Sequence, residues 1–314
     1  MSRAPELFEA AAEALGLGLT SGVPIAGGDI NQAWRLEFDD GSVAFLKSRA
    51  GAPAEEFEME AAGLEWLGSA DALPVPEVLA VISEPQPGLV LEWIEPGGRL
   101  DDAGEANLGR GLAQLHKVDA GAFGALPPAL GSPSSAGSQS PGASHAREWG
   151  LHVGPVSLAA APEDDEGQGF AGFYAARLED LAAQAQDRGA LDPGGASVID
   201  TLCEHIDEIA GPPEPPSLTH GDLWTGNVFV SSDGRPHLID PAAHGAHREL
   251  DLSMLSLFGS QSSRFFDAYE EFHPLSDDWQ ERVRLWQIQP LLIHAILFGG
   301  SYGSSAVEAA RTYL

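Results

Sequence analysis

The hydrophobic period of the chain is mainly that of strands before residue 98 and mainly that of helices after it, and this difference limits the folds that the chain can adopt. Before that point, short alternating runs such as "AWRLEF" and "SVAFL" flank an Asp40-Gly41 turn, which is the pattern of a β-hairpin. The runs "PVPEVLAV" and "GLVLEWI" predict further strands, and residues 54–67 place apolar residues on one helical face. After residue 98 the spacing is mainly helical. The sequence therefore predicts an α+β, bilobal protein with a small β-rich lobe and a larger, mainly helical lobe.

The division between these lobes is marked by a Pro-Gly-Gly sequence. We place the N-terminal lobe at residues 1–95 and the helical lobe at residues 96–314. Within the second lobe, residues 126–169 are rich in Pro, Gly and Ser, which predicts a long surface loop or a partly disordered insertion. Two short strands, "VFVS" and "HLID", flank a second Asp-Gly turn at residues 233–234.

The charge of the chain excludes several classes of partner. Its 47 acidic residues against 16 Lys and Arg give a formal net charge of -31, which opposes binding to nucleic acid and to anionic membranes. No apolar run is long enough to span a bilayer, and the first residues do not resemble a secretion signal. The single cysteine, Cys203, fits a reducing compartment. We therefore expect a cytoplasmic protein without nucleic-acid or membrane partners, and we favour a monomer.

The stretch "HGDLWTGN", residues 220–227, carries the strongest chemical signal in the sequence. Asp222 and Asn227 are five positions apart, which is the D-x-x-x-x-N spacing of phosphoryl-transfer catalytic loops. Asp222 is the candidate proton acceptor for an attacking hydroxyl. Asp240 follows the next hairpin, so its carboxylate can join the Asn227 amide oxygen at one Mg²⁺ ion. Each residue alone could belong to an ordinary turn.

The first lobe supplies matching candidates for a nucleotide site. Lys47, one of only two lysines in the chain, ends a predicted strand and could neutralise phosphate oxygens. Glu60 lies on the following helix and could orient it. The turn "AGGDIN", with Gly27, Gly28 and Asn31, could cover the phosphates with backbone N–H groups. Taken singly these are weak signals, but together and in this order they favour an ATP and Mg²⁺ site.

A second constellation indicates a different class of protein. "HGAHRELD" brings His244, His247, Glu249 and Asp251 into eight residues, and a metal hydrolase could use such ligands. Their spacing matches no common zinc motif. The alternative is that Asp251 caps the next helix or braces the catalytic loop from below, with Arg248 in a nearby ion pair.

Several stretches together resemble one known family. "HGDLWTGN", "LIDPAAHGAHRELDLSMLSLFG", "AYEEFHPL" and "LLIHAILFGGSYG" are similar to sequences of the fructosamine kinase (ketosamine 3-kinase) family. That family belongs to the aminoglycoside-phosphotransferase-like and protein-kinase-like folds. The resemblance implies ATP-dependent phosphorylation of the 3-hydroxyl of a ketosamine, a sugar attached to an amine by glycation, free or protein-bound. It also implies release of the amine, which amounts to protein repair.

Carried over residue by residue, the resemblance makes Asp222 the base, Asn227 and Asp240 the magnesium ligands, and Lys47 with Glu60 the phosphate-clamping pair. It also implies that Glu92, Trp93 and Ile94 form the hinge whose backbone binds adenine, and that His220 braces the loop. Two departures concern the acceptor side. The 126–169 stretch is longer than expected, and Phe170 takes the place of a Trp.

Three alternatives stay open from the sequence. The acceptor could be another hydroxylated amine, such as an aminoglycoside or a choline-like alcohol. The chain could be a nucleotide-binding pseudokinase, although the full set of charged residues argues against that. The His-rich cluster could define a metal hydrolase.

Overall fold

The computed structural model describes residues 4–26, 30–128, 151–158, 169–259 and 261–314. A five-stranded antiparallel sheet forms the first lobe. Its strands are β1 (Leu19–Ile25), β2 (Gln32–Phe38), β3 (Val43–Ser48), β4 (Val78–Ile82) and β5 (Gly88–Glu92), in the spatial order β1-β2-β3-β5-β4. Helix α1 (Ala4–Leu15) precedes the sheet, and α2 (Ala54–Ser69) connects β3 to β4.

Alternation along the strands sends side chains to two different helices. Trp34, Leu36 and Leu46 are buried with α1 on one face. Leu89 and Leu91 are buried with Phe57 of α2 on the other. Because successive strand residues point to opposite faces, Lys47 lies on the α2 face.

The second lobe is built mainly from helices. They are α3 (Asp102–Leu115), α4 (Phe170–Asp187), α5 (Pro193–Cys203), α6 (Ile206–Ile209), α7 (Glu249–Leu255), α8 (Ser263–Phe272), α9 (Trp279–Phe298) and α10 (Tyr302–Arg311). Helix α3 packs along α8, and α9 packs against α4, α7 and α10. Two hairpin-like pairs, β8 (Ser217–Thr219) with β11 (His244–Ala246) and β9 (Val228–Val230) with β10 (Pro236–Leu238), carry the polar motifs. The predicted α+β, bilobal architecture is confirmed.

Trp286 of α9 is the centre of the larger core. It is fully buried, and its ring centroid lies 5.0 Å from that of Tyr174 and 5.1 Å from that of Phe170. Its indole N–H donates to Glu249 Oε2 at 2.7 Å, which satisfies the polar edge of a buried aromatic ring. Phe170 therefore fills a packed position in this core.

The stretch 126–169 contains regular structure that the sequence did not predict. Residues 151–158 form an antiparallel hairpin of β6 (Leu151–Val153) and β7 (Val156–Leu158). Leu151, Val156 and Leu158 are buried in the main core, so a surface loop was the wrong prediction for this segment. Its alternating pattern is only eight residues long and is flanked by Pro, Gly and Ser. Residues 129–150 and 159–168, which the same prediction covers, lie outside the described residues.

The two lobes meet along the segment that follows β5. Pro96 forms an antiparallel bridge with Ser231, and a Cβ on Gly98 would lie 1.8 Å from the Ser231 carbonyl oxygen. The chains approach so closely here that only glycine fits. Leu238 N–H also donates to the Pro74 carbonyl at 2.9 Å. None of the helices in the described part of the chain is long and apolar enough to cross a membrane.

Candidate active site

The catalytic-loop motif forms a tight polar turn between β8 and β9. Its last three residues, Thr225–Asn227, form a single turn of 3-10 helix. The Asn227 side-chain nitrogen donates to the Asp222 carbonyl oxygen at 2.8 Å and to Asp222 Oδ2 at 3.2 Å. The five-residue spacing thus folds the amide back onto the carboxylate, and the two predicted residues lie side by side.

Asp251 of α7 holds this loop from below. Its carboxylate accepts the backbone N–H of His220 at 2.7 Å and that of Gly221 at 2.9 Å. The third contact is His116 Nε2, at 3.2 Å. Burial alone would raise the pKa of Asp251, but the contact with His116 and the bonds from the loop hold it below its ordinary value. Of the two roles foreseen for Asp251, bracing is the one observed, because α7 begins at Glu249 and Asp251 lies inside its first turn.

His220 joins the loop to the segment that carries Asp240. Its Nδ1 accepts the Asp222 N–H at 3.3 Å, and its Nε2 lies 3.0 Å from the Ile239 carbonyl. One nitrogen accepts and the other donates, which is the pattern of a neutral imidazole. Burial lowers the pKa of this side chain and favours that neutral form, although the negative charge of Asp251 opposes the shift.

Asp240 lies where the two lobes face each other. Its φ of 53° is in the left-handed region, which is rare for a residue other than glycine and is often found at functional sites. This conformation directs a half-exposed carboxylate toward the first lobe, where Lys47 Nζ lies 2.8 Å from Asp240 Oδ1.

Lys47 and Glu60 form a buried ion pair between β3 and α2. Burial alone would lower the pKa of Lys47, but the charges of Asp240 and Glu60 outweigh it and raise that pKa, so the ammonium group stays charged. Burial raises the pKa of Glu60, and the Lys47 charge opposes the rise. One cation thus links both lobes.

Asp222 is an unusual carboxylate. Burial raises its pKa to about 8, and the neighbouring negative charge of Asp240 adds to the rise, while the bond from Asn227 opposes it. Two carboxylates that repel each other beside one amide are typical of a site built to receive a cation.

The remaining residues that we predicted to bind the nucleotide differ in how far the structure leaves them available for that role. Glu92 ends β5, but its N–H donates to the Glu77 carbonyl at 2.9 Å, so a base would have to bind a backbone group of Glu92, Trp93 or Ile94 other than this N–H. Asn31 accepts a bond from Arg49 at 3.2 Å. Gly27 and Gly28 lie outside the described residues.

Comparison with known proteins identifies the family. A family model described as fructosamine kinase matches residues 8–127 and 143–314. The chain belongs to the fructosamine kinase family. A "probable ketoamine kinase" of Enterococcus faecium is 30% identical over 292 residues, which cover 93% of this chain and 94% of that protein. Residues 128–142, which the family model leaves out, fall inside the predicted insertion.

Solved structures agree with this assignment. A crystal structure of a "putative fructosamine-3-kinase" from Thermobifida fusca superposes with a TM-score of 0.80 at 34% identity and covers 96% of both chains. Choline kinase LicA from Streptococcus pneumoniae gives a TM-score of 0.60 at 15% identity, covering 99% of this chain and 98% of that one. The second likeness shows a common protein-kinase-like fold alone. As a member of the fructosamine kinase family, the chain is a phosphotransferase with an alcohol group as acceptor.

The donor set between the lobes fits a hard divalent cation. Magnesium prefers carboxylate and amide oxygens, and Asp240 and Asn227 supply one of each. The Asn227 nitrogen is engaged by Asp222, which leaves its oxygen available as a ligand. A cation beside Asp240 would also offset the charge that raises the Asp222 pKa.

The metal-hydrolase hypothesis for the His-rich segment is wrong. No group of three or more His, Cys, Asp or Glu side chains in the described ranges could hold a metal ion. His244 Nε2 accepts from Arg177 at 2.8 Å, and His247 stacks on Trp286. Arg248 forms the expected ion pair, with both Glu214 oxygens at 2.7 Å. These side chains are buried structural groups.

Three contributors to the site were missed from the sequence. His116 reaches Asp251 across 135 positions and also contacts the Tyr269 hydroxyl at 2.8 Å. Arg177 supports His244, whose Nδ1 lies 2.8 Å from the Ala242 carbonyl beside the loop. Arg49 follows the end of β3 and pairs with Glu56 of α2, the helix that also carries Glu60. A signal existed only for Arg49, because it is two residues from Lys47 in the sequence.

Proposed function

We propose that this protein is an ATP-dependent ketosamine 3-kinase. One observation carries the proposal: the candidate base Asp222 lies beside Asn227, and Asp240 is joined through Lys47 to Glu60 in the other lobe. Phosphoryl transfer needs these groups within a single cleft. Membership of the fructosamine kinase family supports a sugar-amine acceptor.

Asp222 has the position and the chemistry of a general base. In the proposed step the acceptor hydroxyl oxygen attacks the γ-phosphorus, the bond to the β–γ bridging oxygen breaks, and ADP leaves. Asp222 takes the hydroxyl proton, which requires its ionised form. Its pKa of about 8 places that ionisation close to neutral pH, and reduction of the Asp240 charge would favour it.

We assign the residues that would bind the nucleotide from the chemistry of their side chains. Lys47, oriented by Glu60, would neutralise phosphate oxygens, and Asp240 with Asn227 would hold Mg²⁺, which screens phosphate charge when bound. The further residues that we assign to nucleotide binding are Gly27, Gly28 and Asn31 for the phosphates and Glu92, Trp93 and Ile94 for the base. The loop brace from Asp251 and His220 keeps the proton acceptor and the ligands in one arrangement.

An exposed aromatic surface beside Asp222 supports an amine-bearing sugar as acceptor. Trp224 and Phe258 are 37% and 36% exposed, with ring centroids 6.2 Å apart. The ring centroid of His294 lies 4.8 Å from that of Phe258 and 5.2 Å from that of Tyr302. Aromatic faces attract cations and pack against apolar groups, so the protonated secondary amine of a ketosamine and its carbon chain both suit this surface.

The net charge of -31 favours the same acceptor. A cationic adduct on a lysine side chain is attracted by acidic walls, and this attraction weakens as salt screens it. We therefore expect the acceptor KM to rise with ionic strength. A KM that stays flat from low to high salt would contradict this part of the proposal.

A panel of acceptors tests the function directly. ATP consumption is measured with fructosamine, ribulosamine and erythrulosamine adducts, with an aminoglycoside and with choline, in the presence of Mg²⁺. We expect turnover with at least one ketosamine and turnover lower by about 10³-fold with the Asp222→Asn protein on the same acceptor. Phosphate position in the product is read by NMR, and a glycated protein is compared with the free adduct to show which form is used. Preference for the aminoglycoside or for choline would show that the acceptor is not a ketosamine. ATP binding without turnover on any acceptor would indicate a pseudokinase.

A further inference from the structure

Arg49 shares a sheet face with Lys47. In the β2–β3 pairing, Gln32 is opposite Ser48 and Ala33 is opposite Lys47. Just beyond the ends of these two strands, Arg49 donates to Asn31 Oδ1 at 3.2 Å. The ion pair of Arg49 with Glu56 of α2 places its guanidinium group on the side of the sheet that carries Lys47 and faces this helix.

Helix α2 presents a matching pair of carboxylates to this face. Arg49 forms an ion pair with Glu56, as Lys47 does with Glu60. The two cations therefore meet the two carboxylates of the helix one to one, with Arg49 just beyond the end of β3 and its partner one helical turn before Glu60.

The Arg49 pair is unlike an exposed surface ion pair. Its side chains are 21% and 11% exposed, whereas those of Arg235 and Asp233 are 69% and 52% exposed. Exposed pairs contribute little and are held loosely. Arg49 is instead fixed from two directions, by the helix through Glu56 and by Asn31, the residue before β2.

The negative charge of the cleft favours a second cationic side chain at the nucleotide site. Lys47 already contacts two carboxylates, Glu60 and Asp240, and Asp222 adds a third acidic group nearby. A triphosphate carries several negative charges. A single lysine shared between two carboxylates can offset only a small part of that charge.

We propose that Arg49 is a second phosphate-binding residue of the nucleotide site and contacts the outer phosphates of ATP. This rests on the proposed function, in which Lys47 binds the inner phosphates. A guanidinium group has five N–H donors in a planar fork and can hold a carboxylate and a phosphate together. The bonds to Glu56 and Asn31 fix its orientation before the nucleotide arrives.

Calorimetric binding of ATP, ADP and AMP, each with Mg²⁺ and without acceptor, tests the assignment. For Arg49→Gln we expect a Kd for ATP that is higher by about tenfold, a smaller rise for ADP, and a Kd for AMP within twofold of the original protein. Arg49→Lys keeps the charge but loses the fork, so an intermediate value is expected. Arg264→Gln, which removes a cation from an exposed pair on α8, serves as the charge-matched control and should change none of the three.

Glu56→Gln separates a binding role from a structural one. This variant removes the anchor but keeps the Arg49 cation, so ATP binding should weaken less than in Arg49→Gln. Equal losses for ATP and AMP in Arg49→Gln, or a Kd for ATP that does not change, would overturn the proposal. Lys47→Gln is the benchmark: if it weakens ATP binding and Arg49→Gln does not, only Arg49 is misassigned. If neither variant weakens ATP binding, the proposed nucleotide site itself is wrong and the assignment of Arg49 falls with it.

Discussion

Asp222 and Asp251 are carboxylates of the same small structure, yet their pKa values move in opposite directions. Asp251 accepts two backbone N–H groups and contacts His116, and its pKa is lowered although it is buried. Asp222 receives one side-chain bond at 3.2 Å and faces Asp240, and its pKa is raised to about 8. Burial opposes the charged form in both. The number of donors and the sign of the nearest charge decide which residue stays ionised.

The difference separates an anchor, Asp251, from the proposed proton acceptor, Asp222. A carboxylate that is fully bonded and ionised stabilises the loop but has little capacity to take a proton. One that is poorly bonded and repelled by its neighbour is costly to keep ionised and ready to accept a proton near neutral pH. The loop contains both: the carboxylate of Asp251 holds its backbone N–H groups, and the carboxylate of Asp222 is left with few donors.

Because Asp251 anchors the loop and Asp222 is the proposed proton acceptor, substitution of the first should mainly lower stability, and substitution of the second should mainly lower turnover.

The largest expected effect is the loss of turnover in Asp222→Asn. Removing a general base costs about 10²–10⁴-fold in rate, and we expect a fall in kcat of about 10³-fold. The Kd for ATP should stay within about twofold, because the substitution leaves Lys47, Asn227 and Asp240 in place. Steady-state kinetics with the best ketosamine measure the fall in kcat, and calorimetry with ATP measures the Kd. Near-normal turnover would show that Asp222 is not the base.

The second prediction concerns stability, and Asp251→Ala should show it. This change leaves the N–H groups of His220 and Gly221 without their acceptor, and each unsatisfied buried group costs about 1–3 kcal/mol. We expect a loss of about 3 kcal/mol in the free energy of unfolding, measured by urea denaturation, together with reduced turnover. Asp267→Ala, on the exposed face of α8, is the matched control and should stay within about 0.5 kcal/mol. Wild-type stability in Asp251→Ala would contradict the anchor role.

The smallest effect, and the one that separates the two carboxylates most directly, is the pH dependence of Tm without metal. The pKa of Asp222 is raised from 3.8 to about 8, so its contribution to stability is present at low pH and is lost as pH rises through about 8. Asp222→Asn does not suffer this loss and should exceed the original protein in Tm by about 2–4 °C at pH 8.5, with little gain at pH 4.

Asp251 should give the opposite sign. Its lowered pKa means that its contribution is present above the ordinary value and disappears as pH falls. The deficit of Asp251→Ala should therefore shrink in acid, while the gain of Asp222→Asn grows in base. Parallel pH profiles for the two variants would contradict the contrast between them.

Much of the fold and the main polar groups could be predicted from the sequence, because they depend on local pattern. Alternation and Asp-Gly turns predicted the strands of the first lobe, and helical spacing predicted α2. The order of strand and helix then brought Lys47 and Glu60 together, as the structure shows. Asp222 and Asn227 are close in sequence, so a single turn was enough to pair them.

Other features depend on contacts that no local pattern contains. His116 and Asp251 are far apart in sequence and meet only because α3 packs beside the catalytic loop. The clustering of His244 and His247 suggested metal ligands, but packing against Arg177 and Trp286 buries both rings. The hairpin at residues 151–158 is short, and its burial against the core could not be predicted from its flanking composition.

The exposed position of Trp224 gives the protein an intrinsic fluorescence signal close to Asp222. Its side chain is 37% exposed, whereas Trp34, Trp279 and Trp286 are at most 8% exposed. An indole in contact with water emits at longer wavelength than a buried one, so emission collected on the long-wavelength side of the band favours exposed residues such as Trp224. Because this ring lies two residues from Asp222, a molecule arriving at the acceptor side would shift or quench that emission, and its arrival could be followed without any added label.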